Sequence, residues 1–292
     1  MQILDGKLVA ENIKTKIKET LELYAHQNRR TPCLATILIG ENGASLSYVA
    51  SKHKTALSLG FTTKDFKLKD TVSEDEVINL INTLNHDSEV DAILLQLPLP
   101  KEYNTEKILN EISPDKDADG ITYMNMAKVA LGENGIVPCT PKGILEILSF
   151  YGIQTEGKHA VVIGRSRIVG RPMSLLLNNT RYNATVTCAN RHTKDLKKIT
   201  SDADILIVAV GQSEFIDSSY IKEGAVIIDV GINRIKDENA KKGYIIKGDV
   251  NFNDVINKAS FITPVPGGVG PLTIACLMEN TLELYNKREN IQ

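Results

Sequence analysis

The sequence is short of what several function classes need. Its four cysteines, Cys33, Cys139, Cys188 and Cys276, lie far apart with no CxxC pair, which argues against a disulfide framework or a zinc site. Five histidines, His26, His53, His86, His159 and His192, show no HxxxH spacing, so no metal is assigned to them. No stretch approaches the roughly 18 apolar residues that a membrane span requires. The opening MQILDGKLVAENIK has no basic segment followed by an apolar one and does not read as a signal peptide. An excess of one charge is also missing: 34 Lys and Arg face 36 Asp and Glu, for a net charge of -2. That balance gives no overall basic field to draw in nucleic acid or a membrane surface. These absences predict a reduced, cytoplasmic enzyme that meets anionic ligands with local charges.

What is present suits a globular α/β protein. A chain of 292 residues, 42% hydrophobic, is long enough for two ordinary domains. Apolar runs rich in β-branched residues recur at 34–39, 92–97, 160–163, 184–187, 205–210, 226–230 and 261–263, and read as buried parallel strands. Val9, Ile13, Ile17 and Leu21 form the apolar face of an N-terminal helix. Alternating strands and helices predict parallel sheets, with ligands at the carboxyl ends of the strands. The stretch LGENGIVPCTP, 131–141, is the best candidate for a domain boundary.

Several strand ends carry candidate chemistry. The strand ending at Ile163 runs into GRSRIVGRP, where Gly170 permits close backbone approach and Pro172 suits the first turn of a helix whose N-terminus can hold a phosphate. The spacing is not GxGxxG, so an ordinary strand-to-helix turn is as good a reading. After the next strand comes CANRHT, with no acid for a ribose hydroxyl. Arg191 there and Arg165 in the first loop can clamp a 2′-phosphate, which favours NADP over NAD; two solvated arginines are the plainer alternative.

The segment 43–60 has helical spacing, with Leu46, Val49, Ala50 and Leu57 as its expected apolar side. Tyr48 and Lys52, four apart, are neighbours on another face. A lysine beside a tyrosine in a cleft can exchange protons at neutral pH, although a solvated pair is far commoner. Gln96 interrupts AILLQLPLP, where it either satisfies a backbone group or holds a ligand or a catalytic amine. DKDADG matches the first half of an EF-hand loop, but its twelfth position is Met126 rather than Glu, so a polar turn that presents Asp119 is the better proposal. PVPGGVGPLT, 264–273, leaves backbone amides uncovered at Gly267 and Gly268.

In this order, YVASK, LLQLPLP, PDKDADG, CTPKG, GRSRIVGRP, DVGIN, GDV and ITPVPGGVGP resemble the bifunctional methylenetetrahydrofolate dehydrogenase/cyclohydrolase family over nearly the whole chain. The resemblance implies a two-domain α/β chain. Residues 1–139 with 272–292 would form a folate-substrate domain and 140–271 a Rossmann-type, doubly wound NADP-binding domain, with the active site in the cleft and a homodimer as the usual assembly. By position, Lys52 matches the catalytic lysine, Tyr48 its neighbour over the pterin, Gln96 the lysine's partner and Asp119 the acid that grips the ring. Leu95 and Leu97 flank Gln96 on the substrate side. Pro266, Gly267, Gly268, Val269 and Gly270 match the loop beside substrate and nicotinamide, and Gly164, Arg165, Ser166, Arg191 and Ile232 match cofactor positions. Ala118 stands where Val is common and Leu272 where Met is common. With Gln292 as its last residue, the sequence leads to the expectation that the formyltetrahydrofolate synthetase domain fused to some relatives is absent.

The implied chemistry is oxidation of 5,10-methylenetetrahydrofolate by NADP and hydrolysis of the methenyl product to 10-formyltetrahydrofolate. A monofunctional dehydrogenase and a catalytically dead NADP-binding sensor are the alternatives. Retention of Tyr48, Lys52, Gln96 and Asp119 together weighs against both.

Overall fold

A computed structural model describes residues 1–240 and 243–291, apart from the side chain of Ala44; Gln292, the last residue of the expected substrate domain, lies outside them. In chain order the elements begin with β1 (Gln2–Ile3), α1 (Gly6–His26), β2 (Cys33–Ile39), α2 (Gly43–Leu59), β3 (Thr62–Leu68), α3 (Glu74–His86) and β4 (Ala92–Leu95). They continue with α4 (Thr105–Asn110), α5 (Tyr123–Leu131), α6 (Cys139–Phe150), β5 (His159–Ile163), α7 (Gly170–Asn178), β6 (Thr185–Ala189), α8 (Leu196–Thr200) and β7 (Ile205–Val208). A 3-10 turn at Ser218–Tyr220 precedes β8 (Val226–Asp229), β9 (Asn233–Lys236), β10 (Tyr244–Lys247), α9 (Phe252–Val255), β11 (Phe261–Ile262) and α10 (Val269–Arg288).

These elements make two compact units. One comprises Met1–Ala10, Val129–Glu133 and Thr140–Thr273, and the other Glu11–Lys128, Asn134–Cys139 and Ile274–Gln292.

The first unit is built on a six-stranded parallel sheet ordered β1-β11-β8-β7-β5-β6. The chain winds outward from β5 to β6, then returns to the other side of β5 and proceeds through β7, β8 and β11. The order therefore reverses between β5 and β7, where a doubly wound sheet opens a crevice at its carboxyl edge. Buried on both faces, the central strands are continuous apolar runs such as Ile205–Val208, which is fully buried. β1 joins as an edge strand, Gln2 opposite Phe261, which is why the first residues group with this unit. The parallel pattern has one exception: β9 and β10 form an antiparallel hairpin with Tyr244 opposite Lys236.

The second unit holds a three-stranded parallel sheet ordered β3-β2-β4, with Ile37 opposite both Phe66 and Leu95. Val77, Ile81 and Leu84 of α3 pack on it beside Ile108 and Leu109 of α4. α3 is fixed at its start by a capping box in which Ser73 and Glu76 satisfy each other's backbone amides. Buried Asp91, just before β4, accepts both terminal nitrogens of Arg30 at 2.7 and 2.6 Å and Nη1 of Arg288 at 3.2 Å, so one carboxylate ties the β2 entrance to the end of α10.

The structure corrects the expected face of α2. Ala50 and Leu57 are exposed; the buried stripe is Ser45, Val49, Lys52, Ala56 and Leu59. That stripe follows the 3.6-residue period as faithfully as the apolar one. Its polar members are buried because the helix presents them inward.

Candidate active site

Turning α2 this way leaves Lys52 only 5% exposed, and a buried ammonium or amine requires a partner. Gln96 supplies it from the end of β4, where its backbone N–H still pairs with Ile37 O at 2.9 Å. The Gln96 side-chain nitrogen donates to Leu97 O at 2.6 Å, which leaves Oε1 to accept from Lys52 Nζ at 3.0 Å. The amide is thus held in one orientation by its own neighbour. Tyr48, one turn before Lys52, places its ring centroid 5.7 Å from the amine, and burial pushes its phenol pKa up, so it remains a donor.

Asp119 sits on a turn that its flanking residues clamp. Buried Asp117 accepts from Gly120 N at 2.9 Å, Thr122 N at 2.8 Å and Asn125 Nδ2 at 3.0 Å, so its carboxylate is turned onto its own loop. Asn280 of α10 donates to Ala118 O and Val137 O, both at 3.0 Å. Held there, the Asp119 carboxyl is pushed up by burial, with Lys52 pulling it down and Asp117 adding to the rise. Tyr48, Lys52, Gln96 and Asp119, together with Leu95 and Leu97, therefore all belong to the second unit.

The remaining candidates lie in the first unit. Gly164 leaves β5 at φ +136°, and a Cβ there would lie 2.4 Å from Ala209 O; a Cβ on Gly170 would lie 2.2 Å from Gly164 O. Such approaches leave a bare backbone turn at the crevice between β5 and β7. The Ser166 hydroxyl accepts from Val169 N at 3.2 Å and Gly170 N at 3.4 Å, fixing the entry to α7, and Pro172 falls in its first turn. Gly164 N donates to Ala189 O at 2.9 Å, so the turn bearing Arg165 and the loop bearing Arg191 leave adjacent strand ends. Both arginines are exposed, Arg191 donating from Nε to His192, and Ile232 is exposed beyond β8. Pro266, Gly267, Gly268, Val269 and Gly270 follow β11, where Gly267 O accepts from Gly6 N at 3.0 Å and Gly268 N donates to Pro264 O at 2.8 Å.

Sequence reasoning passed over Asp117, Asn125, Asn280, Asp229 and Asp249. Each is buried and each organises a loop that carries a candidate residue. The available signal was an acid beside glycine, as in GDV, or inside a turn motif, as in PDKDADG.

Comparison with known proteins accords with this geometry. Residues 4–119 match the tetrahydrofolate dehydrogenase/cyclohydrolase catalytic domain and 138–289 the NAD(P)-binding domain of the same family. A bifunctional protein FolD of Christiangramia forsetii is 48% identical over 99% of this chain and 98% of its own. The bifunctional FolD methylenetetrahydrofolate dehydrogenase/cyclohydrolase of Campylobacter jejuni is 44% identical, with a TM-score of 0.93 covering 99% of each chain. The Trypanosoma brucei FolD, solved with NADP and an inhibitor, is 34% identical, with a TM-score of 0.93 covering 98% of each. Two family models that together span nearly the whole chain, and a relative 48% identical over 99% of it, show that this chain belongs to the tetrahydrofolate dehydrogenase/cyclohydrolase family.

Proposed function

We infer that this protein oxidises 5,10-methylenetetrahydrofolate to the methenyl form with NADP and hydrolyses that product to 10-formyltetrahydrofolate. The observation that carries this is the Lys52–Gln96 pair beside Tyr48, in the same unit as Asp119. When bound, NADP would supply the acceptor for the hydride of the methylene carbon. Its 2′-phosphate is assigned to Arg191 and Arg165, its pyrophosphate to the turn at Gly164 and Ser166, and Ile232 lies against it; the missing acid after β6 and the uncovered turn at Gly164 support that fit.

Oxidation needs chiefly orientation, since the adjacent nitrogen lone pair stabilises the cation that forms. Asp119 holds the pterin, the ring of Tyr48 lies against it, and Leu95 and Leu97 add substrate contacts in the same unit. Hydrolysis then adds water to the methenyl carbon and breaks its bond to the ring nitrogen, which leaves with a proton. Lys52 moves that proton, and Gln96 fixes the direction of its amine. A cofactor sensor would have no use for the buried lysine and its partner.

Residues 1–139 with 272–292 are assigned to the folate and 140–271 to NADP, in a homodimer in the cytoplasm, where Cys33, Cys139, Cys188 and Cys276, none of them in a disulfide, stay reduced. The direct test follows methenyltetrahydrofolate absorbance with NADP, with NAD and with neither. Formation with NADP, and cofactor-independent decay of added methenyl substrate faster than in buffer, are expected. Absence of either removes the corresponding activity.

A further inference from the structure

The acids of the motifs DVGIN and GDV, Asp229 and Asp249, form a buried structure of their own. Asp249 Oδ2 accepts from Val210 N at 2.7 Å and Gly211 N at 2.8 Å, while Oδ1 accepts from Gln212 N at 2.9 Å and Asn233 Nδ2 at 2.8 Å. Three successive backbone N–H groups around a residue with positive φ, here Gly211 at +69°, make a concavity that binds anions. In this chain the anion is an internal carboxylate. Asp229 in turn accepts from Gly231 N and Asp249 N at 2.9 Å and Val250 N at 3.0 Å. The arrangement tolerates no side chain nearby: a Cβ on Gly231 would lie 2.3 Å from Asp249 Oδ1, and one on Gly248 would lie 1.8 Å from Asp229 Oδ2.

Neither acid touches solvent to any extent, with Asp249 fully buried, so neither reaches a ligand. What Asp249 holds, however, is the segment directly after β7, and that segment forms the second wall of the crevice: Ala209 O is the atom a methyl on Gly164 would strike. We propose that Asp249 is a positioning residue for the cofactor, pinning residues 210–212 so that Ala209 and the Gly164 turn keep the spacing NADP requires, with Asp229 and Asn233 holding Asp249 in place.

The proposal rests on the cofactor assignment of the β5 turn, so the experiment separates the two. Asp249→Asn, Asn233→Ala and Gly164→Ala are compared with wild type for NADP KM, dehydrogenase kcat and amide hydrogen exchange at residues 210–212. Asp249→Asn must turn an amide NH2 toward a backbone donor. Its KM for NADP is expected to rise about ten-fold or more, kcat at saturating NADP to fall less than about three-fold, and amides 210–212 to lose protection. Asn233→Ala, which removes one of the four donors, is expected to move KM the same way by about three-fold, and it carries the test if Asp249→Asn does not fold. An unchanged KM in both variants while Gly164→Ala loses NADP overturns the role of Asp249 alone. Unchanged NADP binding in Gly164→Ala overturns the assignment of the turn and the proposal with it. Equal falls in kcat and kcat/KM with a lowered Tm make Asp249 a structural residue only.

Discussion

At the scale of single residues, the side chains proposed for cofactor and substrate lie in different settings. Arg191 is exposed and supported only by His192, so its worth depends on the ligand. A charge-assisted contact to phosphate contributes about 1.5 to 3 kcal/mol. Arg191→Ala is therefore expected to weaken NADP binding roughly ten-fold or more while leaving NAD nearly unaffected, measured by titration with each cofactor; equal losses would remove the 2′-phosphate assignment. Asp119 is held by a turn in which the Asp117 carboxylate and Ala118 O are both engaged. Asp119→Ala is expected to impair dehydrogenase and cyclohydrolase together, because both steps share one bound pterin. Steady-state rates and folate affinity near wild type would leave Asp119 as a turn residue. CANRHT and DKDADG showed both positions in the sequence, but not that Asp117 is buried and turned onto the backbone. Only the closed turn shows that Asp117, two residues before Asp119, is spent on its own loop.

At the scale of elements, periodicity gave the strands and mistook one helix face. Val9, Ile13, Ile17 and Leu21 are buried as their spacing predicts, because a four-residue apolar repeat on an otherwise polar helix has one way to pack. α2 offered two stripes, and the chosen one contained more carbon; the helix instead buries the stripe that carries Lys52 toward Gln96. β3 escaped notice since TTKDFKL alternates and is half-exposed, unlike the apolar runs beside it. The last residue of β8 also titrates. Burial raises Asp229 from 3.8 to about 6, against the three amides that oppose the shift. Between those values the folded protein keeps a proton that the unfolded chain has lost. The stability this group contributes is thus complete below about pH 4 and lost as pH rises through 6, by roughly 3 kcal/mol. In urea unfolding, the stability of wild type relative to Asp229→Asn is expected to fall by about that amount between pH 4 and 7. A difference independent of pH would show that Asp229 does not titrate there.

At the scale of the molecule, the α/β class and the division into two units were legible because parallel strands buried on both faces leave continuous apolar runs. The winding order was not, since β1 pairs with β11 across some 260 residues of sequence and no local signal announces such a pairing. The candidate set in the second unit was legible by motif, whereas the contact between Lys52 and Gln96 required the fold. The hydrolytic half of the bifunctional account turns on that amine. In the proposed mechanism hydride transfer takes no proton to or from Lys52, whereas hydrolysis of the methenyl bridge does. Lys52→Met keeps much of the stem's volume and removes the nitrogen, so a single progress curve with methylenetetrahydrofolate and NADP separates the steps. The account predicts that in this variant methenyltetrahydrofolate accumulates, with dehydrogenase activity still measurable and hydrolysis no faster than in buffer alone. Rapid disappearance of the methenyl absorbance above the buffer rate would contradict it and place the proton on another residue.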